Sequence, residues 1–203
     1  IMADSREFPV KQKSFEKWCF IIPANGKMKD NLSDMLNAFS ELECNELKKL
    51  ELHLCGVKDD VVRDILGKEN LEKMKSSLRV HKWMKYEKLI DLYQGMHFLV
   101  LARGISQMTL ANFPSKVPET MCFGIVPIVS EVGDYTKYYL RDGENSIFIH
   151  GCGKEECKAA IRKALQLAQE EYLNVSKEAF CCAENRFDYR KWVDTVRGMI
   201  ENV

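Results

Sequence analysis

The sequence predicts a Rossmann-like α/β domain: a parallel sheet of about six strands with helices on both faces. Three observations carry that expectation. Short apolar runs recur along the 203 residues, separated by segments of helical spacing or by polar loops. Such alternation implies right-handed crossovers between parallel strands. No repeat or low-complexity stretch interrupts the pattern, and 46% apolar content suffices for one buried core.

The elements follow in order. Residues 17–22 (KWCFII) form the first apolar run, and Leu32, Met35, Leu36, Phe39 and Leu42 then recur at helical spacing. Residues 50–56 (LELHLCG) alternate as a strand, and 61–74 read as a helix with a break near Gly67. A short strand over 78–81 precedes a helix that Gly95 ends, and 97–102 (HFLVLA) has the composition of a buried strand. A long loop leads to 115–123, followed by the strand 125–129 (IVPIV), the helix 134–140, the Asp142-Gly143 turn and the strand 146–150. From Lys154 onward the pattern is helical, with Cys157, Ala160, Ile161, Ala164, Leu165 and Ala168 on one face.

Composition excludes several classes. Thirty basic residues balance thirty acidic ones, so the chain has no electrostatic footprint for nucleic acid. No apolar run approaches the ~18 residues that span a bilayer. Residues 1–16 are too polar for a signal peptide and read as a tag or linker, leaving 17–203 as the domain. Of the eight cysteines, Cys19, Cys55 and Cys122 sit in apolar stretches and none forms a C-x-x-C pair; His53, His81, His97 and His150 are scattered. Reduced thiols, a cytoplasmic location and no zinc-ligand spacing are the expectation.

Open parallel sheets bind ligands at the carboxyl ends of their strands, beside a topological switch point. Three loops there carry candidate chemistry. Residues 23–30 hold Lys27 and Lys29, which can meet a phosphate or simply face solvent. Residues 112–119 place Ser115 at a helix start as an N-cap and Pro118 in the first turn, with Glu119 aimed at the cleft. A carboxylate there accepts two hydrogen bonds from a vicinal diol, or else compensates the helix dipole. In 131–134, Gly133 permits a ligand or a tight turn to approach the backbone. Neither G-x-G-x-x-G nor a Walker lysine motif occurs.

Residues 115–133 (SKVPETMCFGIVPIVSEVG) resemble a stretch of the C-terminal, donor-binding domain of GT-B-fold retaining glycosyltransferases of family four. There a glutamate leads into a-x-G-x-P-V-I and a glycine turn; here these are Glu119, Gly124, Pro127, Ile128 and Gly133. Residues 112–116 (NFPSK) are similar to the preceding N-x-P-S-K loop, 141–145 (RDGEN) to the r-D-G-e-N turn, and Asn31 with Ala38-Phe39 to the start of helix one. The likeness spans about 17–193 and implies the C-terminal half of a GT-B fold, with an absent N-terminal domain as partner. It implies sugar transfer from a nucleoside-diphosphate sugar to an acceptor hydroxyl with retention, without metal or other cofactor. The location it allows is cytoplasmic, including the inner face of a membrane reached through the missing domain or the acceptor.

By the same resemblance Glu119 binds donor ribose. Ser115, Lys116, Lys27, Lys29 and Gly133 face the diphosphate, and Lys82, Trp83 and Met84 hold the base. Trp83 offers a stacking ring or a core contact. The sequence also departs from the family's pattern. Ala111 stands where its first glutamate belongs, Asn25 and Asp30 stand near its arginine and lysine, and Asp134 replaces a glycine. Three alternatives stay open: a related GT-B epimerase, a sugar-nucleotide-binding or regulatory module without turnover, and a Rossmann-like interaction domain without a ligand.

Overall fold

Periodic burial decides the helices. In the computed structural model, which describes residues 12–24 and 30–201, Leu32, Met35, Leu36 and Phe39 line the buried side of α1 (Leu32–Ser40). The chain then runs α2 (Cys44–Leu47), α3 (Asp59–Met74), α4 (Tyr86–Tyr93), α5 (Gln107–Ala111), α6 (Lys116–Met121) and α7 (Asp134–Tyr138). It closes with α8 (Lys154–Gln166), α9 (Gln169–Arg186) and α10 (Val193–Glu201). The break expected in α3 is present: Gly67 adopts φ 68°, ψ 173° inside it.

Between the helices lie β1 (Trp18–Pro23), β2 (Leu50–Cys55), β3 (Leu78–His81), β4 (Phe98–Leu101), β5 (Val126–Ser130) and β6 (Ile147–Ile149). They form one six-stranded sheet in the order β3-β2-β1-β4-β5-β6, and every ladder is parallel. The Rossmann-like expectation therefore holds. Alternate residues of each strand feed two cores. Phe20, Leu52, Val100 and Ile128 pack with α1, α3 and α8 on one face. Ile21, Leu99, Leu101 and Val129 pack with α4, α6 and α9 on the other.

Local chemistry revises several expected boundaries. The long loop before α6 contains α5, whose N-cap Ser106 accepts from Thr109 N at 3.1 Å while Thr109 Oγ1 accepts from Ser106 N. The face expected to run to Ala168 ends sooner. Leu167 leaves helical geometry with ψ 132°, and Ala168 instead precedes α9. The last residues of the segment read as a linker lie against the domain: Lys13 donates to the Gly124 carbonyl at 2.9 Å, and Phe15 meets Trp18, His97 and Tyr172. At the other end α10 buries nothing and exposes Val196, Met199 and Ile200. Among the described residues no helix is long and apolar enough to cross a membrane.

Candidate functional site

Strand order fixes where a ligand crevice lies. From β1 the chain winds outward through β2 to β3, and from β4 it winds the opposite way to β6, so the switch point falls between β1 and β4. The carboxyl ends there are Pro23 and Leu101. Two loops leave them, one reaching Asp30 and one beginning Ala102-Arg103.

Those loops are joined by a buried ion network. Arg103 Nε donates to Asp30 Oδ1 at 2.8 Å, Arg103 N donates to Ser130 Oγ at 3.1 Å, and Arg103 Nη1 donates to Asn112 Oδ1 at 3.0 Å. Lys116 Nζ lies 3.5 Å from Asp30 Oδ2 and donates to the Pro23 carbonyl. Lys116, expected at a diphosphate, is thus brought to the carboxyl end of β1. Neither Arg103 nor its pairing was foreseen. The one sequence signal was an arginine directly after an all-apolar run.

Glu119 sits in the first turn of α6, half-buried, three residues on from Lys116. Burial raises its carboxyl above the ordinary value; a hydrogen bond from the Tyr86 phenol and the charge of Lys116 oppose that rise. Tyr86 opens α4 directly after residues 82–85. The residue expected at a ribose and the loop expected at a base therefore meet through Tyr86, which sequence reasoning missed. Within that loop Met84 packs against the core that holds Val117 and Met121 of α6. Lys82 is exposed and Trp83 is 83% exposed, so the core contact considered for the tryptophan is absent and its ring faces outward.

Ser115 departs from its expected capping role, and Gly133 forms the tight turn that was one of its two readings. Ser115 stands at the α6 N-cap but makes no capping hydrogen bond. Its backbone is already helical (φ −54°, ψ −26°), which turns Oγ away from the amides it would cap. Gly133 has φ 81°, and a Cβ there would lie 3.2 Å from the Thr109 carbonyl and 3.3 Å from that of Leu110. The left-handed backbone favours glycine there, and the close approach of α5 adds to that preference. Ala111, where a glutamate was expected by resemblance, is the exposed last residue of α5. Lys27, Lys29 and Asn25 lie outside the described residues.

Sheet order and flanking loops define an open α/β domain with its switch point between β1 and β4. The chain belongs to the family described as Glycosyl transferases group 1, which matches residues 4–180. No curated protein matches it. Among solved structures it is similar to a glycosyltransferase from Rickettsia africae, with 12% identity and TM-score 0.72 over 92% of this chain and 49% of that one. It is also similar to Anabaena HepE in complex with UDP and glucose, with 11% identity and TM-score 0.71 over 93% of this chain and 49% of that one. A third is the pneumococcal O-GlcNAc transferase GtfA in complex with UDP and GlcNAc, with 17% identity and TM-score 0.73 over 92% of this chain and 36% of that one. At these identities the likeness is one of fold. The chain spans about half the length of such structures or less.

Proposed function

We propose that the chain is the donor-binding half of an enzyme that moves a sugar from a nucleoside-diphosphate sugar to an acceptor hydroxyl with retention. The observation that carries this reading is the convergence of Glu119, Tyr86 and Lys116 beside the β1/β4 switch point. Glu119 takes the ribose hydroxyls and Tyr86 orients its carboxylate. The loop 82–84 holds the base, with Trp83 as the stacking ring. Lys116, with Lys27 and Lys29, offsets the charge of the leaving diphosphate, so transfer needs no metal. Two of the proteins resembled above, HepE and GtfA, were captured with UDP and a sugar, which supports a nucleotide-sugar donor. A second domain, N-terminal in the whole protein, supplies the acceptor site, and this half alone does not turn over.

Calorimetric titration with UDP, GDP and ADP tests the reading. One nucleoside diphosphate should bind, and Glu119→Ala should weaken it about tenfold or more, since charge-assisted bonds to both hydroxyls are lost. Binding unaffected by Glu119→Ala overturns the assignment.

A second reading is favoured by Asp30, whose carboxylate neutralises Arg103 and Lys116 where phosphate charge would be met. It makes the chain a nucleotide-sugar-binding module without turnover. Sugar transfer by the full-length protein excludes it.

A further inference from the structure

On the opposite half of the sheet, strand register brings one side chain of β1 against two of β2. Cys19 of β1 pairs with Glu51 of β2, so both project from one face, and His53 follows two residues along on that same face. Their ligand atoms all lie within 4.8 Å of one another. We propose that Cys19, Glu51 and His53 bind a single zinc-class divalent ion.

His53 supplies the sharpest argument. Among the described residues its buried Nε2 has no hydrogen-bond partner. It lies 3.6 Å from Glu51 Oε2, too far for a hydrogen bond. Two ligand atoms at 2.0–2.1 Å from a tetrahedral ion stand about 3.4 Å apart, so an ion fits between this pair with little movement. The other ring nitrogen, Nδ1, is 2.9 Å from His81 Nε2, and the two rings stack 11° from parallel. If Nδ1 carries the proton and donates to His81, the Nε2 lone pair is left for the ion. Metal-ligating imidazoles are commonly held in this way.

Glu51 is held likewise. Its Oε1 accepts from Arg79 Nη2 at 3.0 Å and lies 3.6 Å from Lys17 Nζ, leaving Oε2 for the ion. Lys17 and Arg79 are cations and lower the affinity for another. The thiolate that Cys19 becomes on binding, together with the Glu51 carboxylate, balances the ion's two charges. A thiolate, an imidazole and one carboxylate suit zinc rather than magnesium or calcium. Three protein ligands leave a fourth position for water. Cys19 and Glu51 also line a cavity of about 480 Å³ with Lys17 and Asp91, which gives an ion its entry path. Both stand near the amino ends of their strands, away from the donor crevice, so the site is independent of the proposed transfer.

The test uses the reduced 203-residue chain with zinc in competition with a chromophoric chelator, and with cobalt(II) as an optical stand-in. One equivalent of zinc should bind, and the cobalt form should show a thiolate charge-transfer band with tetrahedral d–d intensity. Cys19→Ser should abolish the charge-transfer band, and His53→Gln should weaken zinc by about 100-fold or more. Replacing Cys44, Cys152, Cys181 and Cys182 together by serine should leave the equivalent in place. Two results overturn the proposal: no stoichiometric zinc on the wild-type chain, or a charge-transfer band that survives Cys19→Ser. Should His53→Gln misfold by circular dichroism, the cobalt spectra of the wild type and Cys19→Ser still decide.

Discussion

Asp30 and Arg103, 73 residues apart, share a 2.8 Å charge-assisted hydrogen bond with both side chains only 2% exposed. The pair ties together the two chain segments at the switch point, because Asp30 precedes α1 and Arg103 follows β4. Asn31 N donates to the Ala102 carbonyl at 2.9 Å beside it and reinforces the same junction. Removing one partner of a buried ion pair strands the other charge. Arg103→Met should therefore cost about 3–5 kcal/mol of stability, and Asp30→Leu added to Arg103→Met should recover part of that loss. Denaturant midpoints of the three proteins check this. A near-neutral Arg103→Met would show that the pair carries no structural weight.

The same carboxylate bears on binding. Lys116 lies 3.5 Å from Asp30 Oδ2, so a diphosphate approaching Lys116 meets a cation whose charge is already balanced. Asp30→Asn should tighten nucleoside-diphosphate binding several-fold and leave the bare nucleoside unchanged, since only phosphate senses the released charge. Equal affinity for the diphosphate in both proteins removes Asp30 from the donor site.

What was legible in the sequence was whatever depends on near neighbours. The runs ending at Ile22 and Ala102 became β1 and β4 because four or more consecutive apolar residues suit a strand buried on both faces. Gly67 announced its own break, since positive φ is cheap for glycine alone. α5 went unseen because it is one turn long and held by Ser106 and Thr109, a pairing that also reads as loop. Longer-range facts were not legible. Nothing local says that Asp30 meets Arg103 or that Tyr86 meets Glu119, and the Cys19–Glu51–His53 cluster exists only in the β1–β2 register. Trp83 shows the same limit, for composition favours burial and its place at the end of β3 exposes it.

Two buried imidazoles should make the fold acid-sensitive. His53 is lowered to about 4 by burial, then by the nearby His81; His97 is lowered to about 3 by burial, then by the charge of Lys13. Both stay neutral in the folded chain while the unfolded chain takes up protons below the ordinary value of 6.5. The unfolded state then binds more protons, so stability is full above that value and falls as pH drops toward 4. The slope approaches about 1.4 kcal/mol per pH unit for each group. Denaturant midpoints between about pH 6.5 and 5, taken with a chelator present, should show a slope that grows from about one proton toward two as pH falls, and His97→Gln should remove about half of it. An unchanged slope in that variant rules out His97 as a source.

Glu119 should separate stability from binding. Its carboxyl is raised above 4.5 chiefly by burial, so the folded chain holds that proton to a higher pH than the unfolded chain does. Stability therefore falls as pH rises through the window between 4.5 and the raised value, and the penalty persists at neutral pH. Glu119→Gln keeps the shape and removes the buried charge. At pH 7 it should raise the melting temperature, and the gain should shrink as the medium is acidified and the wild-type carboxyl becomes neutral. Nucleoside-diphosphate affinity at pH 7 should move the other way, because an amide carbonyl accepts from ribose hydroxyls more weakly than a carboxylate does. A purely structural role for the Tyr86–Glu119 contact would lower the melting temperature and leave affinity alone. Thermal melts at pH 7 and pH 4 with one calorimetric titration distinguish the two, and lower stability with unchanged affinity would refute Glu119 as the ribose ligand.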